Sequence, residues 1–295
     1  MGELYLEYEY WVAVFQLVMA MLGMGATLTP RHFREVLMEP RAVSIGVAIQ
    51  LLLVPLIAYL CISGLGVVGG VAVGIALIAA IPGGTTSNIF TYFARGNTPL
   101  SITITALTTL ACLLTTPLIL GVLITEYMPE DFVMPRQRVM LEIAVTLLLP
   151  LVLGMLFLRV FPRSAAAFSQ WCVRSSLLGI AAIVIGSSMS GRLDVQAFGL
   201  SNLLVIFAFV LALVFASILA CKLLGLSSVD ATAIDMEVVV RNINLGVLIK
   251  ASLFPAVLGQ ADSLGDFVLF SLLVYGGVQM LVAAAFIAWR RPKHV

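Results

Sequence analysis

The stretch EVVVRNINLG, residues 237–246, places a carboxylate and a guanidinium four positions apart in a chain that is otherwise largely apolar. On a continuous helix Glu237 and Arg241 would share one face, with Asn242 and Asn244 close behind. A pair that only steadies a helix is a poor use of such residues, because a buried ion pair seldom repays its desolvation. A charge inside a membrane span costs about 2.5–3.5 kcal/mol on insertion scales, and such residues default to a functional role. The chemistry on offer is the holding of ions and solute in mid-membrane.

A second polar island, IPGGTTSN at residues 81–88, has a different character. Pro82, Gly83 and Gly84 are poor at continuing a helix. Thr85, Thr86, Ser87 and Asn88 follow at once, and these are N-cap types. The pattern predicts a helix that stops and restarts inside the bilayer, which is tolerated only where protein or a water-filled cavity satisfies the freed backbone. The restarted helix offers its positive dipole end to an anion, while the freed carbonyls suit a cation. Downstream, a helix is expected to restart after Asn97, with Ser101 and Thr105 on one face. Taken alone, such hydroxyls more often bond back to their own helix carbonyls. Gln50, in the apolar run 42–60, is an equally weak signal by itself.

The elements that must position these residues follow from composition. The 295 residues are 61% hydrophobic and 11% charged, against about 25% charged in a soluble domain. Apolar stretches near the length of a spanning helix, rather than short alternating strands, predict an all-α integral membrane protein. Runs near 10–28, 41–63, 69–95, 98–125, 139–161, 171–190, 198–224, 228–255 and 264–289 predict nine transmembrane helices in a single domain. The acidic start MGELYLEYEY lacks the basic n-region of a signal peptide, so the first span is expected to be retained. With the N-terminus outside, the cytoplasmic segments hold Arg31, Arg34, Arg41, Arg95, Arg159, Arg163, Arg174, Lys222, Arg290, Arg291 and Lys293. The outer ones keep Arg136, Arg138, Arg192 and Lys250, as the positive-inside rule requires for an inner (plasma) membrane protein with a cytoplasmic C-terminus. A net charge of +1 suggests no nucleic-acid partner. Cys61, Cys112, Cys172 and Cys221 are isolated and read as small hydrophobes. His32 and His294 lie in basic segments, so no Ser-His or metal-His constellation is available, and there is no phosphate-binding G-x-x-x-x-G-K-[ST] loop.

PGGTTSN followed by TYFARGN, then EVVVRNINLG, with MLGMGATLTPRHF at the end of the first span, resembles the bile acid:sodium symporter family. The resemblance implies inverted repeats with two broken helices crossing at the membrane centre, a panel and a core domain, and alternating access. It resembles members lacking the first helix, with repeat one about 9–125 and repeat two about 139–290. It implies a first sodium site on Ser87, Asn88, Ser101, Thr105 and Glu237. A second would draw on Gln50, Glu237, the carbonyls of Val238 and Val240, and a glutamine side chain. Gly84, Thr85 and Asn242 would receive an organic anion, either bile-salt-like or a small carboxylate such as pantoate or a keto acid.

The sequence departs from that pattern at one point. The glutamine position is Arg241, which offers five donors and no acceptor and cannot coordinate sodium. The expectation is one sodium ion, with Arg241 as a tethered surrogate for the second. In a variant of that expectation, Arg241 contacts the solute carboxylate instead. A proton-coupled or uncoupled carrier is the alternative. A channel would need a ring of selectivity groups, and an enzyme would need a base or a second buried carboxylate beside Glu237. The expectation is therefore a monomeric, non-enzymatic symporter.

Overall fold

The computed structural model describes residues 2–29, 40–128, 132–255 and 263–290. Arg31, His32, Arg34, Arg291, Lys293 and His294 lie outside them. The regular elements described are helices, apart from one isolated two-residue β-bridge. They are α1 (Gly2–Gly25), α2 (Pro40–Gly64), α3 (Gly69–Ala80), α4 (Thr85–Phe93), α5 (Thr98–Leu123) and α6 (Arg136–Val160). There follow α7 (Pro162–Met189), α8 (Val195–Leu223), α9 (Ser228–Val239), α10 (Ile243–Leu253) and α11 (Ser263–Arg290).

Among the described residues, six helices are long and apolar enough to cross a membrane: α2, α5, α6, α7, α8 and α11. Helix α1 has 24 residues, a span's length at about 1.5 Å per residue. The expected breaks in the runs 69–95 and 228–255 are both present. One run divides into α3 and α4 and the other into α9 and α10.

The helices pack in two sets that also touch each other, α1 lying against α10 and α5 against α6. Helix α1 lies along α7 and α6. In the other group α3 packs on α11, α5 and α2, α8 packs on α9 and α11, and α9 packs on α4. Two helices carry a π-helical turn just before a proline: Ile49–Leu53 before Pro55 in α2, and Ile143–Leu148 before Pro150 in α6. Proline lacks an N–H and its ring crowds the preceding turn, so a widened turn absorbs it. In α2 that turn carries Gln50, which is fully buried.

The seam between α1 and α6 is set by glycine. A Cβ on Gly154 would fall 2.4 Å from the carbonyl oxygen of Leu22, and one on Gly25 would fall 2.1 Å from that of Leu151. Small residues permit this approach of two backbones in a membrane, where packing rather than water exclusion drives association. Gly154→Ala is therefore expected to lower stability by about 1–3 kcal/mol through overpacking, seen as a fall in the melting temperature of the detergent-solubilised protein. Gly64→Ala, where an added Cβ meets nothing within 4 Å, is the matched control and leaves it unchanged.

Candidate functional site

The first break follows from Pro82. A residue before proline is pushed out of the helical region, and Ile81 is extended at φ −81°, ψ 152°. Helix α3 thus ends with its last carbonyls exposed to the interior, where each needs a partner. All of them find one. The Leu77 oxygen accepts from the Ile81 N–H at 3.2 Å, and the Ala80 oxygen accepts from Thr116 Oγ1 at 2.7 Å. Arg241 supplies the rest: Nε donates to the Ile78 oxygen at 3.3 Å, and Nη2 donates to the Ala79 oxygen at 3.3 Å and to the Ile81 oxygen. The Arg241 Nη1 donates to Gln50 Oε1 at 3.1 Å. The guanidinium sits in a cage of carbonyl and amide oxygens.

The second break carries no proline or glycine, and its partners come from far along the chain. Val240 is extended at φ −93°, ψ 94°. The Tyr275 hydroxyl donates to the Val239 oxygen at 2.8 Å, and the Arg241 N–H donates to Gln279 Oε1 at 2.8 Å. Both side chains stand on α11 and are buried. The two breaks also bond to each other. The Gly84 N–H donates to the Val240 oxygen and the Asn242 N–H to the Pro82 oxygen, each at 2.9 Å, flanking the bridge between Gly83 and Arg241.

Because α9 stops at Val239, Glu237 and Arg241 are not the i,i+4 pair that a continuous helix would make of them. Gln50 stands between them. Its Nε2 donates to Glu237 Oε2 at 3.3 Å while its Oε1 accepts from Arg241 and from the Gly83 N–H at 3.1 Å. Gly83 is required here by space: a Cβ would lie 2.3 Å from Glu237 Oε2.

The other carboxylate oxygen faces hydroxyls. Glu237 Oε1 is within hydrogen-bond reach of Ser87 Oγ, Ser101 Oγ at 2.6 Å and Thr105 Oγ1 at 2.8 Å. Asn88 Oδ1 lies 2.8 Å from Ser101 Oγ and 3.3 Å from Thr105 Oγ1. Ser87 Oγ also lies 2.5 Å from the Gly84 oxygen, and Thr105 Oγ1 lies 3.0 Å from the Ser101 oxygen. Each hydroxyl has one proton and two or more acceptors within reach, so oxygens outnumber protons in this cluster, which is buried except at the half-buried Asn88. A set of hydroxyl, amide, carbonyl and carboxylate oxygens suits a hard cation. Among the described residues no three His, Cys, Asp or Glu gather as they would for a transition metal.

Gly84, Thr85 and Asn242 line a cavity of about 580 Å³ together with Thr86, Arg241 and Asn244, a volume in the range of small-molecule sites. Its walls are otherwise largely apolar: Val173, Leu177, Ile180 and Val184 from α7, Phe270, Leu273, Val274 and Met280 from α11, and Ala20 and Met21 from α1. At its polar end are the first turns of α4 and α10. They differ in one respect. The Asn242 side chain caps α10 by accepting from the Leu245 N–H, whereas no side chain caps α4.

The structure thus brings together Gln50, Ser87, Asn88, Ser101, Thr105 and Glu237, with Arg241 across Gln50. Of the two carbonyl positions, Val240 already accepts from Gly84, and Val238 is buried beside Glu237 in the last turn of α9. Sequence reasoning missed Tyr275, Gln279 and Gln16, whose Nε2 donates to the Asn244 oxygen at 2.9 Å. The available signal was a polar group inside an apolar run, the same signal that marked Gln50.

Two broken helices bonded to each other beneath an apolar cavity, with an oxygen cluster alongside, are the furniture of a membrane transporter. A family model described as the sodium bile acid symporter family matches residues 14–197. An uncharacterized sodium-dependent transporter of Bacillus subtilis (strain 168), YocS, is 31% identical over 244 residues, covering 83% of this chain and 74% of that protein. A probable chloroplastic sodium/metabolite cotransporter of Arabidopsis thaliana, BASS1, is 31% identical over 247 residues, covering 81% of this chain and 58% of the plant protein. A sodium-dependent organic anion transporter of Rattus norvegicus is 26% identical over 282 residues, covering 93% and 73%. The chain belongs to the sodium bile acid symporter family. It is a multi-pass membrane protein of a sodium-dependent transporter family, and these relatives are named as transporters rather than enzymes.

The supports from α11 generate a prediction. Gln279→Leu leaves the Arg241 N–H buried and unpaired, and Tyr275→Phe does the same to the Val239 oxygen. Each is expected to cost about 1–3 kcal/mol, read as a lower melting temperature in detergent, with the two losses less than additive because both act on one break.

Proposed function

We propose that this protein imports an organic anion by symport with sodium, using alternating access between a panel of α1, α6 and α7 and a core formed by the remaining helices. On this reading there are nine spans: α1, the six long helices, and the two broken pairs α3/α4 and α9/α10. The N-terminus lies outside and the C-terminus in the cytoplasm of the plasma membrane, and the unit is a monomer. Support comes from the positive-inside balance and from the packing of α1 along α6 and α7.

The observation that carries the proposal is the oxygen cluster on Glu237. Sodium bound there by Ser87, Asn88, Ser101, Thr105 and Glu237 would replace strained sharing of too few protons by coordination of one cation. The cluster contacts α4, whose own first turn lines the cavity, and α9, whose continuation past the break, α10, lines it too, so ion occupancy and solute binding act on the same backbone. The solute's acidic group is assigned to the uncapped first turn of α4, beside Gly84, where the helix dipole and the peptide N–H groups of Thr85 and Thr86 favour an anion; the Gly84 N–H itself is bonded to Val240. Asn242 is the second contact, from the α10 side. The apolar walls take the hydrocarbon part of the solute.

Arg241 is assigned the place of a second ion, beside Gln50, Val238 and Val240. Four of its five N–H donors are committed to helix-end carbonyls and to Gln50, which favours a cation surrogate over a ligand for the solute carboxylate. A tethered cation neutralises the same dipole end that a mobile ion would, but it does not cross with the solute.

Uptake of a bile salt, pantoate and pyruvate into proteoliposomes tests the reading. At least one is expected to enter faster by about tenfold or more when sodium is present outside, and Glu237→Gln is expected to abolish that gain. Uptake indifferent to sodium in the intact protein would contradict it. The sodium dependence is expected to follow a Hill coefficient of about one, rising in Arg241→Gln as a second site opens. Loss of solute affinity with no change in sodium cooperativity would assign Arg241 to the solute instead.

A further inference from the structure

A second group of charges lies away from the breaks. Lys250, in the last turn of α10, is fully buried, and its Nζ donates to Glu9 Oε1 of α1 at 2.8 Å. The same oxygen accepts from Arg192 Nη1 at 2.8 Å, and Arg192 Nε donates to Asp266 Oδ1 at the start of α11. Arg192 stands in the tight connection between α7 and α8, held by its own N–H to the Ser187 oxygen at 3.0 Å, next to Gly191 at φ +74°. Beside this group, Ser252 of α10 donates to Glu142 Oε1 of α6 at 2.6 Å.

The two acids and two bases sum to zero charge, and their connectivity is specific. Glu9 belongs to the α1–α6–α7 group of helices, whereas Lys250 and Asp266 belong to α10 and α11. The chain Lys250–Glu9–Arg192–Asp266 therefore crosses between the two groups twice. It does so where the cavity ends: Leu193, the residue after Arg192, lines the cavity, whose walls are α7 on one side and α11 on the other. Apolar side chains of similar size would close such an end at least as firmly. What charges add is reversibility. Buried, the pairs hold each other; once water enters, exposed ion pairs are worth little and each charge is solvated on its own. A closure built this way is stable when shut and inexpensive to leave open, which is what a two-state element needs.

We propose that Glu9, Arg192, Lys250 and Asp266 form an ionic latch that shuts the cavity at the end of the bundle where α7 finishes and α11 begins, and that must part for solute to pass there. It goes beyond the ion coupling argued above and depends on neither the identity of the solute nor the number of sodium ions.

Two measurements test it, one of them independent of transport. With Cys61, Cys112, Cys172 and Cys221 changed to alanine, a reporter is placed by Leu193→Cys and the protein is exposed, in membranes, to an impermeant maleimide on the side where the N-terminus lies. Glu9→Gln is expected to raise the modification rate about fivefold or more, as a shift toward the parted state. An unchanged rate in a protein that remains monodisperse contradicts the latch. In the second measurement, Arg192→Cys and Asp266→Cys are introduced together and joined by a short bifunctional thiol reagent. Joining is expected to stop sodium-driven uptake of the carboxylate that the intact protein accepts, and a reductant that cleaves the reagent is expected to restore it. Undiminished uptake after complete joining overturns the proposal, including where Glu9→Gln fails to fold.

Discussion

Two hydrogen bonds organise this molecule: Gly84 N–H to the Val240 oxygen, and Asn242 N–H to the Pro82 oxygen. A helix interrupted in hydrocarbon exposes backbone groups that cost several kcal/mol each if left unpaired. Here each interruption supplies partners for the other, so neither break is tenable alone. Their crossing fixes where α3 and α9 stop and where α4 and α10 begin. It thereby fixes the position of the Glu237 cluster, the Arg241 cage and the polar end of the cavity.

The electrostatics follow from that geometry. At a crossing of broken helices, carbonyl ends gather on one side and N–H ends on the other. The N–H ends face the cavity, where no side chain caps α4. The carbonyl end of α3 receives a guanidinium. On the proposed reading, a fixed positive charge there stands in for one mobile ion while keeping the dipole end compensated. Gln50 sits between this fixed charge and the Glu237 carboxylate, its amide oxygen toward the arginine and its nitrogen toward the acid. Only one orientation of that amide satisfies both neighbours, so the side chain separates the two halves of the site as well as linking them.

Much of this was legible in sequence where the cause is local. Pro82 forces Ile81 out of the helix, so the first break can be read from eight letters, although the next helix starts from Gly84 with no side-chain cap from the four N-cap types that follow. Ser101 and Thr105 were ambiguous by themselves, since back-bonding to the helix is the commoner fate of such hydroxyls. Thr105 does lie within reach of its own helix carbonyl at Ser101 while also reaching Glu237. The second break was not legible locally. EVVVRN contains nothing that ends a helix, and reading it as continuous made Glu237 and Arg241 an i,i+4 pair. What ends it is Tyr275 and Gln279, one turn apart on α11, together with the backbone of the first break. Tertiary partners decide that boundary, and a pass along the chain has no means of weighing them.

The central claim is that Arg241 holds, as part of the protein, a charge that would otherwise travel with the solute. The direct measurement is the net charge moved per solute, by current recording from proteoliposomes driven by a sodium gradient with a transported monocarboxylate. One sodium ion with one monoanion carries no net charge, whereas a second ion would couple uptake to the membrane potential by about 2.3 kcal/mol per 100 mV. The account predicts no sustained current in the intact protein and an inward current in Arg241→Gln. A sustained, potential-driven inward current from the intact protein would contradict it.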